Sequence, residues 1–361
     1  MKKIFVLMAS AALMLAASCN KMEENTTTEP AVETELITIE LNPTTKTQLS
    51  GTETLWSAGD AVDVLVDGEP VGTLTLVEGS TFSGELTTVG LTGPATLHYP
   101  AGVKAVPATQ VAVENSFANG AALLEGTTTV EDLRAGNGAT LQNTTALLQF
   151  SVAQAGEVTF EVGTAKYTVT GCATGKTYYA CVAPASSVAF TARIDGYLSK
   201  KASNKVTFSA NKIANLDELP APEKFGWGIV GQHQGWTITN PTPMYKVDDN
   251  VYAVLNIQLA DNGFKFAKNG LKDWNTANTT FGAWKESTGK GYFDFTTEMS
   301  AGAWYGNPLY SDNASNDQKN IGVSDFSKKY DVYIRLYGSG DWGIGVKYTV
   351  VPTGTKVTYP N

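Results

Sequence analysis

With 361 residues and a net charge of −9, the chain is long enough for two or three domains and too acidic to hold nucleic acid or an anionic lipid surface by charge. Arginine is confined to Arg134, Arg193 and Arg335, and histidine to His98 and His233. No Gly-x-Ser-x-Gly, His-Glu-x-x-His or Cys-His constellation is present, so the sequence points away from an enzyme and calls for no cofactor and no metal.

The chain opens with Lys2 and Lys3, an apolar run from Ile4 to Ala17, and small residues up to Cys19. That order is the plan of a secretory signal peptide, and the run is too short to span a bilayer comfortably. Ala17-Ser18-Cys19 resembles the lipobox of bacterial lipoproteins, with Ala16 standing where the pattern prefers Leu. The resemblance implies that residues 1–18 are removed and that Cys19 is acylated. The alternative is an ordinary exported protein cut nearby. Acyl chains contribute roughly 0.8 kcal/mol per buried CH₂, so several of them would hold the protein on a membrane. Asn20-Lys21-Met22-Glu23-Glu24 resembles the signal that sends lipoproteins of some Gram-negative glycan-using bacteria to the cell surface. Residues 19–35 hold too little apolar surface to offset their ordering entropy and read as a flexible, lipidated tether.

From there the pattern is β almost throughout. Val62, Val64 and Val66 alternate with Asp63, Leu65 and Asp67; Asp67-Gly68 marks a turn, and Val71 to Leu76 returns. Ala95–Tyr99, Leu147–Val152, Val158–Val162 and Tyr178–Val182 follow as further strands. Cys172 and Cys181 flank a segment read as a hairpin tip. An oxidising compartment permits a disulfide there, but two thiols buried as small hydrophobes is the preferred reading. Composition shifts near residue 220: six of the seven Trp follow Phe225, and Asn215–Pro222 carries two Pro and reads as a linker. Many short strands between turns argue for sandwiches. The expected fold class is therefore all-β, with two β-sandwich domains, 36–220 and 223–361, after the signal peptide and tether.

Thr45-Lys46-Thr47, followed by Leu55-Trp56-Ser57-Ala58-Gly59-Asp60 and the strand into Val64, resembles the opening of fimbrillin-like domains. Tyr179–Pro184 and Lys212–Leu216 resemble that family's late core strand and closing strand. The resemblance implies a β-sandwich of the surface-lipoprotein and pilin superfamily. Read from the residues alone, Trp56 plugs one end of a sandwich, and Gly59-Asp60 turns the chain into the next strand. Polymerising members of the family are cut after an early Arg. This chain has none before Arg134, which counts against a shaft subunit and leaves an anchor or tip subunit open.

The second half runs Phe225-Gly226-Trp227-Gly228-Ile229-Val230-Gly231, Gly235-Trp236, Gly263–Asn269, Asp273-Trp274-Asn275 and Tyr330–Tyr337. This order resembles the C-terminal domains of SusE and SusF, starch-binding outer-membrane lipoproteins. The segment Asn275–Asn278 and the loop carrying Phe281 and Trp284 depart from their pattern. Strand parity adds a reading of its own. Val332, Ile334 and Leu336 face a core, while Asp331, Tyr333, Arg335 and Tyr337 face the other way. An Arg between two Tyr can serve as a sugar platform, or the Tyr can be a cross-strand pair on a covered face. Trp227 lies inside an apolar strand and reads as core. Trp236 and Trp274 sit in Gly- and Asn-rich loops and can stack on a sugar or pack. The resemblance adds Lys265, Asn269 and Arg335 as polar partners. His98 reads as a satisfied strand residue, His233 as a turn residue within reach of a ligand, and Asp312–Asp317 as a solvated turn without the spacing of a calcium loop.

The expectation is a lipid-anchored protein of the outer membrane, facing the cell surface, that binds a polysaccharide or oligosaccharide such as a starch-like α-glucan without cleaving it. Its partners would include a glycan-uptake porter complex. The alternative is a fimbria-associated structural subunit or adhesin with fimbrial partners.

Overall fold

The computed structural model describes residues 33–44, 56–261, 263–272, 280–284, 292–294, 305–306, 309–310, 318–323, 325–336 and 346–359. Cys19, Lys46, Trp274, Tyr337 and the Asp312–Asp317 turn lie outside them.

The first unit is a closed barrel. Its strands are β1 (Glu35–Thr44), β2 (Ala61–Val66), β3 (Glu69–Glu78), β4 (Thr81–Leu86), β5 (Pro94–Tyr99), β7 (Leu124–Thr129) and β8 (Ala139–Asn143), with the short β6 (Thr109–Val111) leaving to join the next unit. The order around the barrel is β1-β4-β3-β2-β5-β7-β8. β1 closes it by pairing antiparallel with β4 and parallel with β8. The alternation read in the sequence sends Val62, Val64 and Val66 inward beside Ile39, Leu74, Phe82, Leu97 and Leu141. Trp56 stoppers one end: its indole N–H donates to the Leu41 carbonyl at 2.9 Å, and its ring meets Phe82 and Tyr99 edge-on. Gly59, at φ +94°, makes the turn expected there. Buried Asp60 then accepts the Ser57 N–H at 2.7 Å and the Tyr99 hydroxyl at 3.0 Å. A single helical turn, α1 (Val130–Arg134), is capped by Thr129 and lowers Val130 and Leu133 into the core.

The second unit is a sandwich. One sheet runs β15-β14-β10-β11-β6, built from β10 (Gly156–Val162), β11 (Ala165–Cys172), β14 (Phe190–Ile194) and β15 (Tyr197–Lys201). The other runs β12-β9-β17, from β9 (Ala146–Val152), β12 (Tyr178–Val182) and β17 (Ile213–Leu219). A ribbon of β13 (Ala185–Val188) and β16 (Val206–Phe208) completes it. Leu148, Phe150, Val158, Phe160, Val169, Phe190 and Ile194 fill the space between. The strand β9 is buried on both faces at its start, since Leu147 packs outward with Cys181, Tyr179 and Ala121. The stretch 36–220 thus holds two separate cores, one barrel and one sandwich. Cys172 and Cys181 are both free thiols in buried positions. Burial pushes them up to about 11 and about 12, far from the reactive thiolate.

The third unit is built on one large sheet. Its strands are β18 (Lys224–Gly231), β19 (Thr242–Asp248), β20 (Val251–Gln258), β21 (Phe264–Lys268), β22 (Thr280–Trp284), β23 (Tyr292–Asp294), β24 (Tyr305–Gly306), β25 (Leu309–Tyr310), β26 (Gln318–Gly322), β27 (Lys329–Leu336) and β28 (Val346–Pro352). The main path is β23-β26-β22-β21-β18-β19-β20-β27-β28-β24. Trp227, Ile229, Phe264, Phe266, Tyr330, Val332, Ile334 and Val350 share its core. Trp227 is 5% exposed, as its apolar strand predicts.

Candidate functional site

On β27 the alternation holds, yet the outward face is covered. Val332 and Ile334 enter the main core, while Tyr333 turns the other way into a second apolar cluster with Val247, Val251, Ala253 and Val351. Tyr333 is only 8% exposed. The C-terminal segment lies on it, with the Tyr359 ring centroid 6.3 Å away, and Tyr197, Leu255 and Val357 pack against the same cluster. Asp331, beside it, is also buried and accepts the Asn256 N–H at 2.7 Å and the Thr353 hydroxyl at 2.9 Å. Burial and this carboxylate together push the Tyr333 phenol well above its usual range. The expectation of an open sugar platform is therefore corrected at Tyr333. The face its parity gives it is real, but another part of the chain occupies that face. Arg335, two residues on and half-buried, stands opposite Val251 on β20 and Lys347 on β28.

The other expected residues lie elsewhere. Lys265 on β21 points away from Phe264 and Phe266 and stands beside Val230 of β18, as parity requires. Its side chain is not open to solvent, at 9% exposure, and desolvation holds its ammonium below the usual lysine range. Asn269 is committed to the fold: its Nδ2 donates to the Phe225 carbonyl at 2.8 Å and its backbone N–H to the Gly226 carbonyl at 2.9 Å, which clamps the turn after β21 onto β18. β21 and β27 are separated by β18, β19 and β20, so Lys265 and Tyr333 stand four strand spacings apart, about 19 Å along the sheet. The structure does not gather Lys265, Asn269, Tyr333 and Arg335 into one site.

Trp236 remains half-exposed. It follows the one-turn helix η1 (Gln232–Gln234), at φ +58°, and donates its indole N–H to Gln232 Oε1 at 3.1 Å. Next to it His233 Nε2 lies 3.0 Å from the Thr242 hydroxyl, and burial pushes the imidazole down to about 4. His233 is thus neutral at physiological pH. Among the described residues no group of three His, Cys, Asp or Glu side chains is placed to hold a metal ion.

No family model matches the chain. No curated protein matches it either. Among solved structures it is similar to a fimbrial protein from Bacteroides ovatus, at 14% identity over 53% of this chain and 52% of that one, with a TM-score of 0.30. It is also similar to a candidate cell adhesion protein from the same organism, at 11% identity over 51% of this chain and 92% of that one, with a TM-score of 0.35. A candidate cell adhesion protein from Bacteroides thetaiotaomicron aligns at 9% identity over 50% of this chain and 91% of that one, with a TM-score of 0.28. The chain spans about half the length of the fimbrial protein.

Part of what covers Tyr333, through Tyr197, is a joint between the second and third units that no local pattern of residues reveals. Arg193 on β14 donates to the Val247 carbonyl at 2.7 Å and pairs with Glu161 at 3.4 Å. Lys201 on β15 reaches both Asp248 and Asp249 at 2.8 Å. The Tyr197 hydroxyl accepts the Leu255 N–H at 3.0 Å, and its ring lies 5.0 Å from that of Tyr245. One of the chain's three arginines, Arg193, is spent here together with Lys201. The scarcity of arginine was visible in the sequence; the meeting point depends on contacts some fifty residues apart.

Proposed function

We propose that the chain is a lipid-anchored surface protein that works by presentation: an adhesin or fimbria-associated subunit that holds its C-terminal domain out from an outer membrane. The observation that carries this reading is the joint. Ion pairs, a part-buried arginine–carbonyl bond and an aromatic contact fix the third unit to the second, so an external load on one is passed to the other. A stalk needs that stiffness, and a freely tethered binding module does not. Acylated Cys19 and the polar tether after it supply the anchor, and the barrel and sandwich supply the spacer. Removal of the protein by protease added to intact cells, its release by Cys19→Ala, and easier detachment of cells lacking it from a neighbouring cell layer under flow are the expected results. Unchanged detachment would reject the adhesive role.

A second reading is capture of an α-glucan by the third unit, in the manner that the SusE/SusF resemblance implies. Trp236 favours it, because a half-exposed indole in a turn rich in Gln and His is a suitable stacking group. The resemblance also names Arg335, which stands three strands from β18, and Trp274 and Tyr337, which lie outside the described residues. The covered Tyr333 and the committed Asn269 weigh against it, and for that reason it stands second.

A further inference from the structure

The barrel carries a row of polar side chains on its outer surface. Asp63 on β2 pairs directly with His98 on β5, His98 with Glu125 on β7, and Glu125 with Gln142 on β8. Directly opposed residues share a face, so all four project outward together. Two depressions open along this row and share Glu125. One, of about 430 Å³, lies over β5, β7 and β8; the other, of about 320 Å³, lies between β2, β5 and the loop holding Val103 and Lys104. Each falls within the range of small-ligand sites, about 300–1,000 Å³. The β7–β8 ladder holds only the pairs Leu124–Asn143 and Glu125–Gln142. Beyond them exposed Thr127 and Thr140 flank the first depression.

The lining chemistry selects the ligand. Glu125 is exposed, and its Oε1 is 3.6 Å from His98 Nδ1, too far for a hydrogen bond, so the carboxylate keeps its acceptor capacity. Gln142 adds an amide that both donates and accepts, and the threonines add hydroxyls. Asp63 is engaged by the Thr73 hydroxyl at 2.9 Å and the Gly102 N–H at 2.6 Å, and fixes the rim. Half-buried Leu65 and Leu123 give the second depression an apolar wall. An anion would meet two carboxylates against Lys104 alone. A peptide strand finds a poor template, because beyond the last pair β7 keeps only residues 126–129 and β8 only 139–141 unpaired with each other, shorter than the usual strand of about five or six residues. A metal ion would need a third ligand, and no such group occurs among the described residues. What remains is a neutral ligand dense in hydroxyls with apolar C–H faces.

We propose that this groove binds an oligosaccharide, with Glu125 and Gln142 exchanging hydrogen bonds with ring hydroxyls and Leu65 and Leu123 supporting the C–H face of the adjoining sugar. The proposal rests on the presentation reading for its setting and names the ligand class. Binding in vitro does not depend on anchoring, so the two can fail separately. The full chain is screened on an array of neutral oligosaccharides ending in glucose, galactose, mannose, fucose or N-acetylglucosamine, and the strongest is titrated by calorimetry. Affinity on the order of 0.1–1 mM is expected from a shallow site of a few exposed hydrogen bonds. Thr140→Trp, which fills the first depression from an exposed position, and Glu125→Gln should each weaken binding about tenfold or more with an unchanged melting temperature. Trp236→Ala should leave it within about twofold. Silence across the array overturns the proposal. So does binding that survives Thr140→Trp, and if that binding is instead lost with Trp236→Ala, the sugar belongs to the third unit.

Discussion

Tyr197→Phe tests whether the second and third units act as one body. The substitution removes a single oxygen, the acceptor of the Leu255 N–H at 3.0 Å, and keeps the ring that packs 5.0 Å from Tyr245. An N–H left without its partner costs about 1–3 kcal/mol when buried, and the low end applies to this part-buried one. Because Leu255 belongs to the third unit, that cost is felt across the joint. Six of the seven Trp also follow Phe225, so tryptophan fluorescence reports mainly on the third unit. In urea, with a slope of about 2 kcal/mol/M, a loss of about 1 kcal/mol lowers the fluorescence midpoint by about 0.5 M. Tyr197→Ala removes the ring as well and should cost about 3–5 kcal/mol, near the lower end because the ring is half-buried. A change in the second unit thus moves a transition reported from the third. A Tyr197→Phe midpoint within about 0.2 M of the parent would refute the reasoning, because the joint would then carry no stability.

Other outcomes follow from burial. Trp227→Ala should destabilise the third unit by about 3–5 kcal/mol, whereas Trp236→Ala should stay within about 1 kcal/mol; chemical denaturation separates them, and equal losses would refute the assignment of Trp236 to the surface. A thiol reagent at pH 8 should leave Cys172 and Cys181 unmodified in the native protein and label both after denaturation without prior reduction; rapid native labelling would contradict their burial. His233 titrates near 4 when folded and about 6.5 when unfolded, so the unfolded chain takes up its proton first. Its contribution to stability is intact above pH 6.5 and is lost as pH falls through 4. His233→Gln should flatten this acid decline in urea midpoints, and a mutant that loses stability as steeply as the parent would remove His233 as the cause.

The all-β character was legible because it rests on local periodicity: the Val62-Val64-Val66 alternation and the inward Phe264 and Phe266 are fixed by the two-residue period of a strand. Trp56 and its Gly59-Asp60 turn were legible for the same reason. Parity also placed Tyr333 on the correct face of β27, but it could not show that Tyr359 and Tyr197 lie over that face. Nor could it show that Asn269 is tied to Phe225 rather than open. Those facts depend on contacts between residues far apart in the chain, which no local pattern encodes. The division of 36–220 into a barrel and a sandwich was hidden in the same way. Closure of the barrel depends on Leu41 meeting Ala139, and nothing near either residue announces the other.

That closing pair also sets a schedule for folding. Leu41 meets its partner Ala139 only about a hundred residues after it has been made. At about 5–20 residues per second, synthesis leaves the first strand waiting roughly 5–20 s for β8. Until then β1 can pair on one side only, with β4, and its other edge remains open to any strand that passes. On the export route proposed above, the chain would gain most by keeping this stretch extended and escorted until Asn143 has crossed. Slow translocation would lengthen the hazard, and the opening strand, rather than the large C-terminal sheet, would be the part most in need of a chaperone.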